Sequence, residues 1–188
     1  MWWVWVGLVA LVWVRYRGTF VENKGQTYAE ARFEARWRPH HVYLTPDGLI
    51  ILFVDGKILE KTHFDRWSED SWPVRAHLVR IRWIGGNAVE PVGLEPETTR
   101  YNFFLGPWRG TNARGFRTVR YAGIYEGVDC VFRLTPQGLK WDWEVASPEA
   151  LTQIRLEYQG VSLSLAPQQL IMHTILGDFV ELMPLVYT

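Results

Sequence analysis

The chain has 188 residues with 20 basic and 20 acidic side chains, so its formal net charge is zero. This balance argues against a nucleic-acid-binding protein that works by neutralising phosphates, and an apolar content of 48% excludes a disordered chain. The single cysteine, Cys130, excludes an intramolecular disulfide framework and a cysteine-based zinc site. The length fits one domain, or two small halves that share a core.

The first 14 residues, MWWVWVGLVALVWV, are entirely apolar and are followed by Arg15 and Arg17. As a helix they would span about 21 Å, short of a hydrocarbon core of about 30 Å, but their length suits the apolar region of a secretory signal. No basic residue precedes the segment and no small-residue cleavage site follows it. We expect residues 1–18 to be an export signal or a short membrane anchor. A buried N-terminal strand and a wrongly assigned start codon are the alternatives.

The rest of the chain has the two-residue period of β-strands. Large apolar side chains alternate with charged ones, as an antiparallel sheet with one face in water requires. One short helical turn is predicted at residues 147–151, with Ser147 at the N-cap and Pro148 in the first helical position. We therefore expect an all-β fold, mainly an antiparallel β-sandwich. The alternating segments are Ala31–Arg38, Val79–Trp83, Leu139–Val145 and Ile154–Tyr158.

A turn motif occurs at Leu44–Leu49 and Leu134–Leu139, and more weakly at Leu165–Leu170. Its proline suits the second position of a turn and its glycine the left-handed conformation, so each copy predicts a β-hairpin. The third copy has glutamine in place of glycine, which predicts a different turn. Because hairpin and strand follow in the same order twice, we expect residues 19–188 to form one all-β domain with similar halves, 20–95 and 100–188. Chance recurrence of a common turn is the alternative.

The prolines and glycine of residues 90–99 make that segment the expected connector of the halves, and residues 55–73 the main loop of the first half.

Few residues suggest chemistry. Asp142 and Glu144 would share one face of a strand, about 6.6–6.8 Å apart, a spacing that could serve glycoside hydrolysis; the solvent-facing side of the strand explains them better. Adjacent His40 and His41 would point to opposite faces and so could not easily chelate one metal. Cys130 falls on the buried side of a strand as an inert small hydrophobe. We expect no catalytic, metal or cofactor site, and no cofactor.

Three tryptophans fall in polar, loop-like stretches, and these are the candidate ligand or partner contacts: Trp67, Trp72 and Trp108. An exposed tryptophan can fill the end of a β-sandwich, dock a neighbouring domain or stack on a sugar ring. The residues leave all three roles open, with the first favoured.

Several motifs together resemble the N-terminal domain of bacterial SBBP (β-propeller) repeat-containing proteins over residues 20–188. The resemblance implies an exported or surface-associated protein, placed ahead of propeller-like repeats, and it carries over no catalytic residue. The motifs, in chain order, are Phe20–Gln26, Tyr43–Gly48, Tyr101–Gly106 with Trp108 and Thr111-Asn112, Val119–Tyr121, Ile124–Asp129, Leu139–Val145, and the closing stretch Leu170–Thr188 with Gly177, Pro184, Val186 and Tyr187.

We therefore expect a non-enzymatic structural or interaction module that is extracellular, on the cell surface or periplasmic. Its partner would be an adjacent propeller-repeat domain or a surface protein. It would contact no nucleic acid, and a membrane only through residues 1–14. The first alternative is a carbohydrate-binding β-sandwich that binds polysaccharide, and the second is a glycan-active enzyme.

Overall fold

The computed structural model describes residues 4–9, 18–37, 39–56, 75–105, 108–135 and 138–187. Within them the chain forms fifteen strands and one short 3-10 helix, so the predicted all-β class is confirmed. The elements are β1 (Val4–Val9), β2 (Phe20–Glu22), β3 (Phe33–Trp37), β4 (His40–Thr45), β5 (Gly48–Val54), β6 (Ala76–Trp83), β7 (Val92–Leu105), β8 (Trp108–Tyr125), β9 (Val128–Thr135), β10 (Gly138–Val145), the 3-10 helix (Pro148–Gln153), β11 (Leu156–Gln159), β12 (Ser162–Ala166), β13 (Gln169–Thr174), β14 (Gly177–Leu182) and β15 (Leu185–Tyr187).

The described strands form two antiparallel sheets. The large sheet has the order β11-β6-β5-β4-β3-β2-β8-β9-β10-β1-β15, with β7 also paired to β8. The second sheet, which we call the C-terminal sheet, consists of β12, β13 and β14 in that order. Consecutive strands are mostly neighbours in space, which is the usual result of hairpin connections.

The large sheet curls until its two arms face each other. Strands β6 and β10 are seven positions apart in the sheet, or about 34 Å along it at ordinary strand spacing. Nevertheless the rings of Trp83 on β6 and Trp143 on β10 lie 5.5 Å apart, edge to face. The Tyr121 hydroxyl on β8 reaches across the same core and donates to the Thr45 carbonyl at 2.9 Å. The arms thus enclose one continuous apolar core, which is the predicted sandwich.

The three repeated turns are hairpins, as predicted. Their closing pairs are Thr45 with Gly48, Thr135 with Gly138, and Ala166 with Gln169. In the third turn the positive φ of 60° falls on Gln168 instead of on a glycine at the next position. At Gly48 the glycine is needed for a second reason, because a Cβ there would lie 2.0 Å from the Ile81 carbonyl oxygen of β6. The likeness of the two halves stays a prediction.

Strand alternation places the predicted apolar residues in the core. Val79, Ile81 and Trp83 are all buried on β6, and so are the apolar side chains of β10. The 3-10 helix begins at Pro148 with Ser147 at its N-cap position, as predicted. The predicted connector is wrong in form, because residues 92–99 belong to β7, a 14-residue strand paired with β8.

The charged face of these strands is less exposed to solvent than predicted. Glu34, Asp142 and Glu144 were expected to face water, but they are only 3%, 1% and 8% exposed. Arginine side chains on the same strand, or one or two strands away, lie over the three carboxylates. The long apolar stems of arginine shield whatever they cover, so a face built from charges can still be closed to water.

The main chain of Val4–Val9 forms β1, between β10 and β15. This is the strand that the sequence offered as the alternative to an export signal or anchor. Residues 10–17 and 57–74 lie outside the described part of the chain, and with them most of the predicted main loop of residues 55–73.

Candidate functional site

The three predicted contact tryptophans stay predictions. Trp67 and Trp72 lie outside the described residues. Trp108 is the first residue of β8, but its side chain is outside the described part as well.

The predicted carboxylate pair on β10 is fully engaged in ion pairs. Asp142 lies 2.6 Å from the Arg133 guanidinium and 3.0 Å from the Lys140 ammonium. Glu144 lies 2.9 Å from the Arg120 guanidinium, which also pairs with Asp129. Buried charges persist only when they are paired in this way. The pair therefore stabilises the outer face of β8, β9 and β10 and is not poised as an acid and a base for glycoside cleavage.

The adjacent histidines of β4 point to opposite faces, as predicted. His40 is buried edge-on against Phe53 and Phe179, and its Nδ1 accepts a hydrogen bond from the Val54 N–H at 3.2 Å. Burial lowers the pKa of His40 to about 4, so it is neutral at physiological pH. His41 stacks on Tyr43 on the other face.

The sulfhydryl of Cys130 is enclosed in the core, as predicted, and burial raises the pKa of its thiol well above the usual range. Among the described residues, no three His, Cys, Asp or Glu side chains are grouped closely enough to hold a metal ion. The core thus offers no reactive thiol, since the thiolate is the nucleophile.

The outer face of the C-terminal sheet carries a chain of three polar side chains that the sequence analysis missed. Ser164 of β12 lies with its Oγ 2.7 Å from Nε2 of His173 on β13. The other ring nitrogen, Nδ1, lies 2.8 Å from Oδ1 of Asp178 on β14. His173 and Asp178 are exposed, with 41% and 59% of their side-chain surface accessible. We call this group the Ser164 triad.

Hairpin register brings the triad together. The turn closed by Ala166 and Gln169 sets Ser162 opposite His173 and Ser164 opposite Ile171. The next hairpin sets His173 opposite Asp178. Residues two apart on a strand share a face, so serine, histidine and aspartate all project to one side. The sequence signalled only the first hairpin, through the weak turn motif at Leu165–Leu170. A turn at Gly177, which closes the second hairpin with Thr174, was the further signal needed to add Asp178.

The inner face of the C-terminal sheet holds it on the core. Phe179 stacks on Phe53 with ring centroids 3.8 Å apart, and Met172 is buried beside them. The Tyr158 hydroxyl of β11 donates to Glu181 of β14 at 2.8 Å. Burial raises the pKa of Glu181 to about 7, although the hydrogen bond from Tyr158 partly opposes that rise.

Exposed apolar side chains concentrate in the C-terminal sheet, in the residues that join and follow its strands, and in β15 of the large sheet. Of the eleven large hydrophobic side chains that are exposed in the described part of the chain, six belong to residues 163–186. Leu165 is 77% exposed on β12, the outer strand of the C-terminal sheet. The sequence of β12, SLSLA, has no charge and no proline, the devices that usually protect a free strand edge. The six are Leu163, Leu165, Ile175, Met183, Leu185 and Val186.

A concavity lies on the outer face of β4, β5 and β6. It has a volume of about 450 Å³ and is lined mainly by apolar and aromatic groups. The rings of Tyr28 and Tyr43 meet edge to face there with centroids 5.6 Å apart. Burial raises the pKa of Tyr28 to about 12, so its hydroxyl keeps its proton. We call it the tyrosine groove; its lining is Gln26, Thr27, Tyr28, Tyr43, Ile50, Leu52 and Leu78.

Residues 20–188 match the model of a protein family described as a domain of unknown function (DUF7948). No curated protein and no solved structure matches the chain. None of the helical structure in the described residues has the length and apolar character that a membrane-spanning helix needs.

Proposed function

The chain belongs to the family of the domain of unknown function DUF7948, and we propose that it is an exported structural or interaction module and not a glycan-active enzyme. The observation that carries the proposal is the collection of exposed apolar side chains around the C-terminal sheet. Large exposed apolar surface on a protein often marks an interaction site. The carboxylate pair that alone suggested glycan cleavage is tied up with Arg133, Lys140 and Arg120.

The proposed partner is a protein that adds an extended segment to β12. This strand is the outer one of its sheet, and an edge strand has unpaired N–H and C=O groups that a partner strand can use. Leu163 and Leu165 would supply apolar contacts along the same edge. Phe179 and Met172 pack the C-terminal sheet against the core of the large sheet, which holds this edge at the surface.

Site-specific photo-crosslinking in the native host tests this interface. A benzoylphenylalanine at position 165 should give one discrete adduct, whose mass distinguishes another protein from a second copy of the chain. The matched control is the same residue at position 104, where Phe104 is 69% exposed on β7, away from the C-terminal sheet. Adducts at both positions in equal yield, or at neither, would contradict the proposed interface.

The proposal of export rests on the apolar composition of residues 1–14. Cleavage between Arg15 and Phe20 would remove β1, whereas an uncleaved chain keeps it beside β10. Cell fractionation with mass analysis of the native N-terminus separates the two. A mature chain outside the inner membrane supports export, and intact Met1 in the membrane fraction supports an anchor. Intact Met1 in the cytosol would contradict export and make β1 part of the working fold.

A second candidate function is carbohydrate binding, which the tyrosine groove favours. Aromatic rings beside an apolar floor are suited to sugar rings, and Tyr28 and Tyr43 provide them. Affinity electrophoresis against a panel of polysaccharides tests it. Retardation that is lost in Tyr43→Ala and kept in Phe104→Ala would support binding in the groove. Equal migration on every polysaccharide would remove this candidate.

A further inference from the structure

We propose that Ser164, His173 and Asp178 form an acyl-transfer site that hydrolyses small carboxylic esters. This activity goes beyond the proposed interaction role, because its three side chains lie on the outer face of the C-terminal sheet. The proposal rests on two hydrogen bonds of one imidazole. The serine Oγ is hydrogen-bonded to Nε2, and the carboxylate is hydrogen-bonded to Nδ1.

Both hydrogen bonds have the lengths that nucleophilic catalysis requires. A nucleophile and its base should lie about 2.6–3.2 Å apart, with the base oriented by a third group. The separations here are 2.7 Å and 2.8 Å. The Asp178 carboxylate can only accept a hydrogen bond, so Nδ1 carries the ring proton. Nε2 is then left to accept the proton of Ser164, which is the arrangement of a Ser-His-Asp triad.

The geometry selects one serine out of two. Ser162 and Ser164 both project to the face that carries His173, and Ser162 is the one directly opposite it in register. The imidazole is nevertheless hydrogen-bonded to Ser164, its diagonal neighbour two residues further along β12. Ser162 is therefore a built-in control, with the same chemistry on the same strand but without the bond to the base.

The surroundings define the substrate class. Ile171 lies directly opposite Ser164, and Val180 lies directly opposite Ile171 on β14. These side chains form a short apolar strip beside the serine, where a small acyl chain could rest. Because His173 and Asp178 are exposed, the site is open to solvent and suits small esters that diffuse freely. Neither Ile171 nor Val180 carries a charge, so an uncharged acyl chain fits beside them better than an anionic one.

Among the described strands β12 is the outer one of its sheet, and while no partner strand is paired there, its edge offers N–H donors for the oxyanion. Residues of an antiparallel pair alternate between bonding the partner strand and facing away from it. Ala166 and Gln169 close the hairpin, so alternation turns the N–H groups of Leu163 and Leu165 toward the outer edge. The N–H after a nucleophilic serine is a known oxyanion donor in other hydrolases. Leu165 occupies that position here.

The reaction balances without any further reagent. Ser164 Oγ forms a bond to the ester carbonyl carbon while its proton passes to His173 Nε2. The tetrahedral intermediate then breaks its bond to the alcohol oxygen, which leaves with the proton from Nε2. Water next attacks the acyl-serine with the same imidazole as base, releasing the carboxylic acid and restoring Ser164. Asp178 keeps its hydrogen bond to Nδ1 throughout and so orients the ring.

The test uses the purified full chain, a fluorophosphonate probe and p-nitrophenyl butyrate. Ser164 attacks the probe's phosphorus with loss of fluoride, so mass spectrometry should find the adduct on the peptide that contains Ser164. Hydrolysis of the ester should fall to background in Ser164→Ala, and by a factor on the order of 10²–10⁴ in Asp178→Asn. Ser162→Ala should retain both labelling and hydrolysis. Thermal unfolding of each variant checks that the exposed substitutions leave the fold intact.

Two results would overturn the proposal. One is an unlabelled Ser164 in protein that is shown to be folded. The other is ester hydrolysis that survives in Ser164→Ala, because the imidazole alone would then be the nucleophile.

Discussion

Replacing Glu181 by glutamine should change how the free energy of unfolding depends on pH. Glu181 is only 4% exposed on the inner face of the C-terminal sheet, and it accepts one hydrogen bond from the Tyr158 hydroxyl. Glutamine has the same shape, and its amide oxygen can accept the same bond. The substitution therefore removes a titrating group and leaves the packing in place.

The size of the effect follows from the pKa of Glu181, which burial raises from 4.5 to about 7. As pH rises between these values, the unfolded chain loses the proton while the folded protein keeps it, so the stability falls. Between pH 5 and pH 8 the loss is about 2.5 kcal/mol. His40 acts in the opposite direction, since its pKa falls from 6.5 to about 4 on burial. Over the same range its contribution raises the stability by about 2 kcal/mol.

These two groups nearly cancel in the parent protein. The Glu181→Gln variant keeps only the His40 contribution. Its free energy of unfolding should therefore rise with pH relative to that of the parent. Urea unfolding at several pH values between 5 and 8 measures this. The difference in the free energy of unfolding, variant minus parent, should grow by about 2.5 kcal/mol across that range. Glu157→Gln, on the exposed face of β11, should show no such trend. A constant difference for Glu181→Gln would refute the raised pKa and the burial behind it.

Three more substitutions or reactions test the packing. Gly48→Ala should destabilise the protein by more than about 3 kcal/mol, because the new Cβ would lie 2.0 Å from the Ile81 carbonyl oxygen. Gly177 also has a positive φ, but there is open space where its Cβ would lie. Gly177→Ala should therefore cost only about 1–2 kcal/mol. Equal costs in urea unfolding would show that the clash at Gly48 is relieved. Asp142→Ala should lower the free energy of unfolding by about 2 kcal/mol. The loss is kept this small because Arg133 and Lys140 are partly exposed and can turn toward water. A chemical-denaturation midpoint equal to that of the parent would contradict a stabilising role for these ion pairs. Cys130 is 0% exposed, so its thiol should react with Ellman's reagent only after denaturant is added, and prompt reaction in buffer would contradict its burial.

Local patterns were enough for several of the strands and turns, although not for β7. The alternation at Val79–Trp83 and the proline-containing turn before Gly48 identify a strand and a hairpin that the structure contains. The prediction that Asp142 faces solvent was wrong, because alternation assigns a residue to a face of the strand but does not tell whether that face is covered. Whether Arg133 lies over the carboxylate depends on the register between two strands, which a single strand's sequence does not contain.

The Ser164 triad illustrates the same limit. Its members are spread over residues 164–178, and none lies in a recognisable catalytic motif. Only the two hairpin registers bring Ser164, His173 and Asp178 to one face. The predicted ligand or partner contacts at Trp67 and Trp72 stay predictions, because both residues lie outside the described part of the chain.

The amino-acid sequence by itself determined the all-β class, the hairpins and the apolar face of each strand, because these depend on side-chain period and turn chemistry within a few residues. The tertiary structure decided what those elements meet. Curling of the large sheet brings Trp83 against Trp143 from seven strands away. The register between β9 and β10 places Arg133 over Asp142. Such contacts arise from long-range packing of whole strands, and no local pattern specifies them.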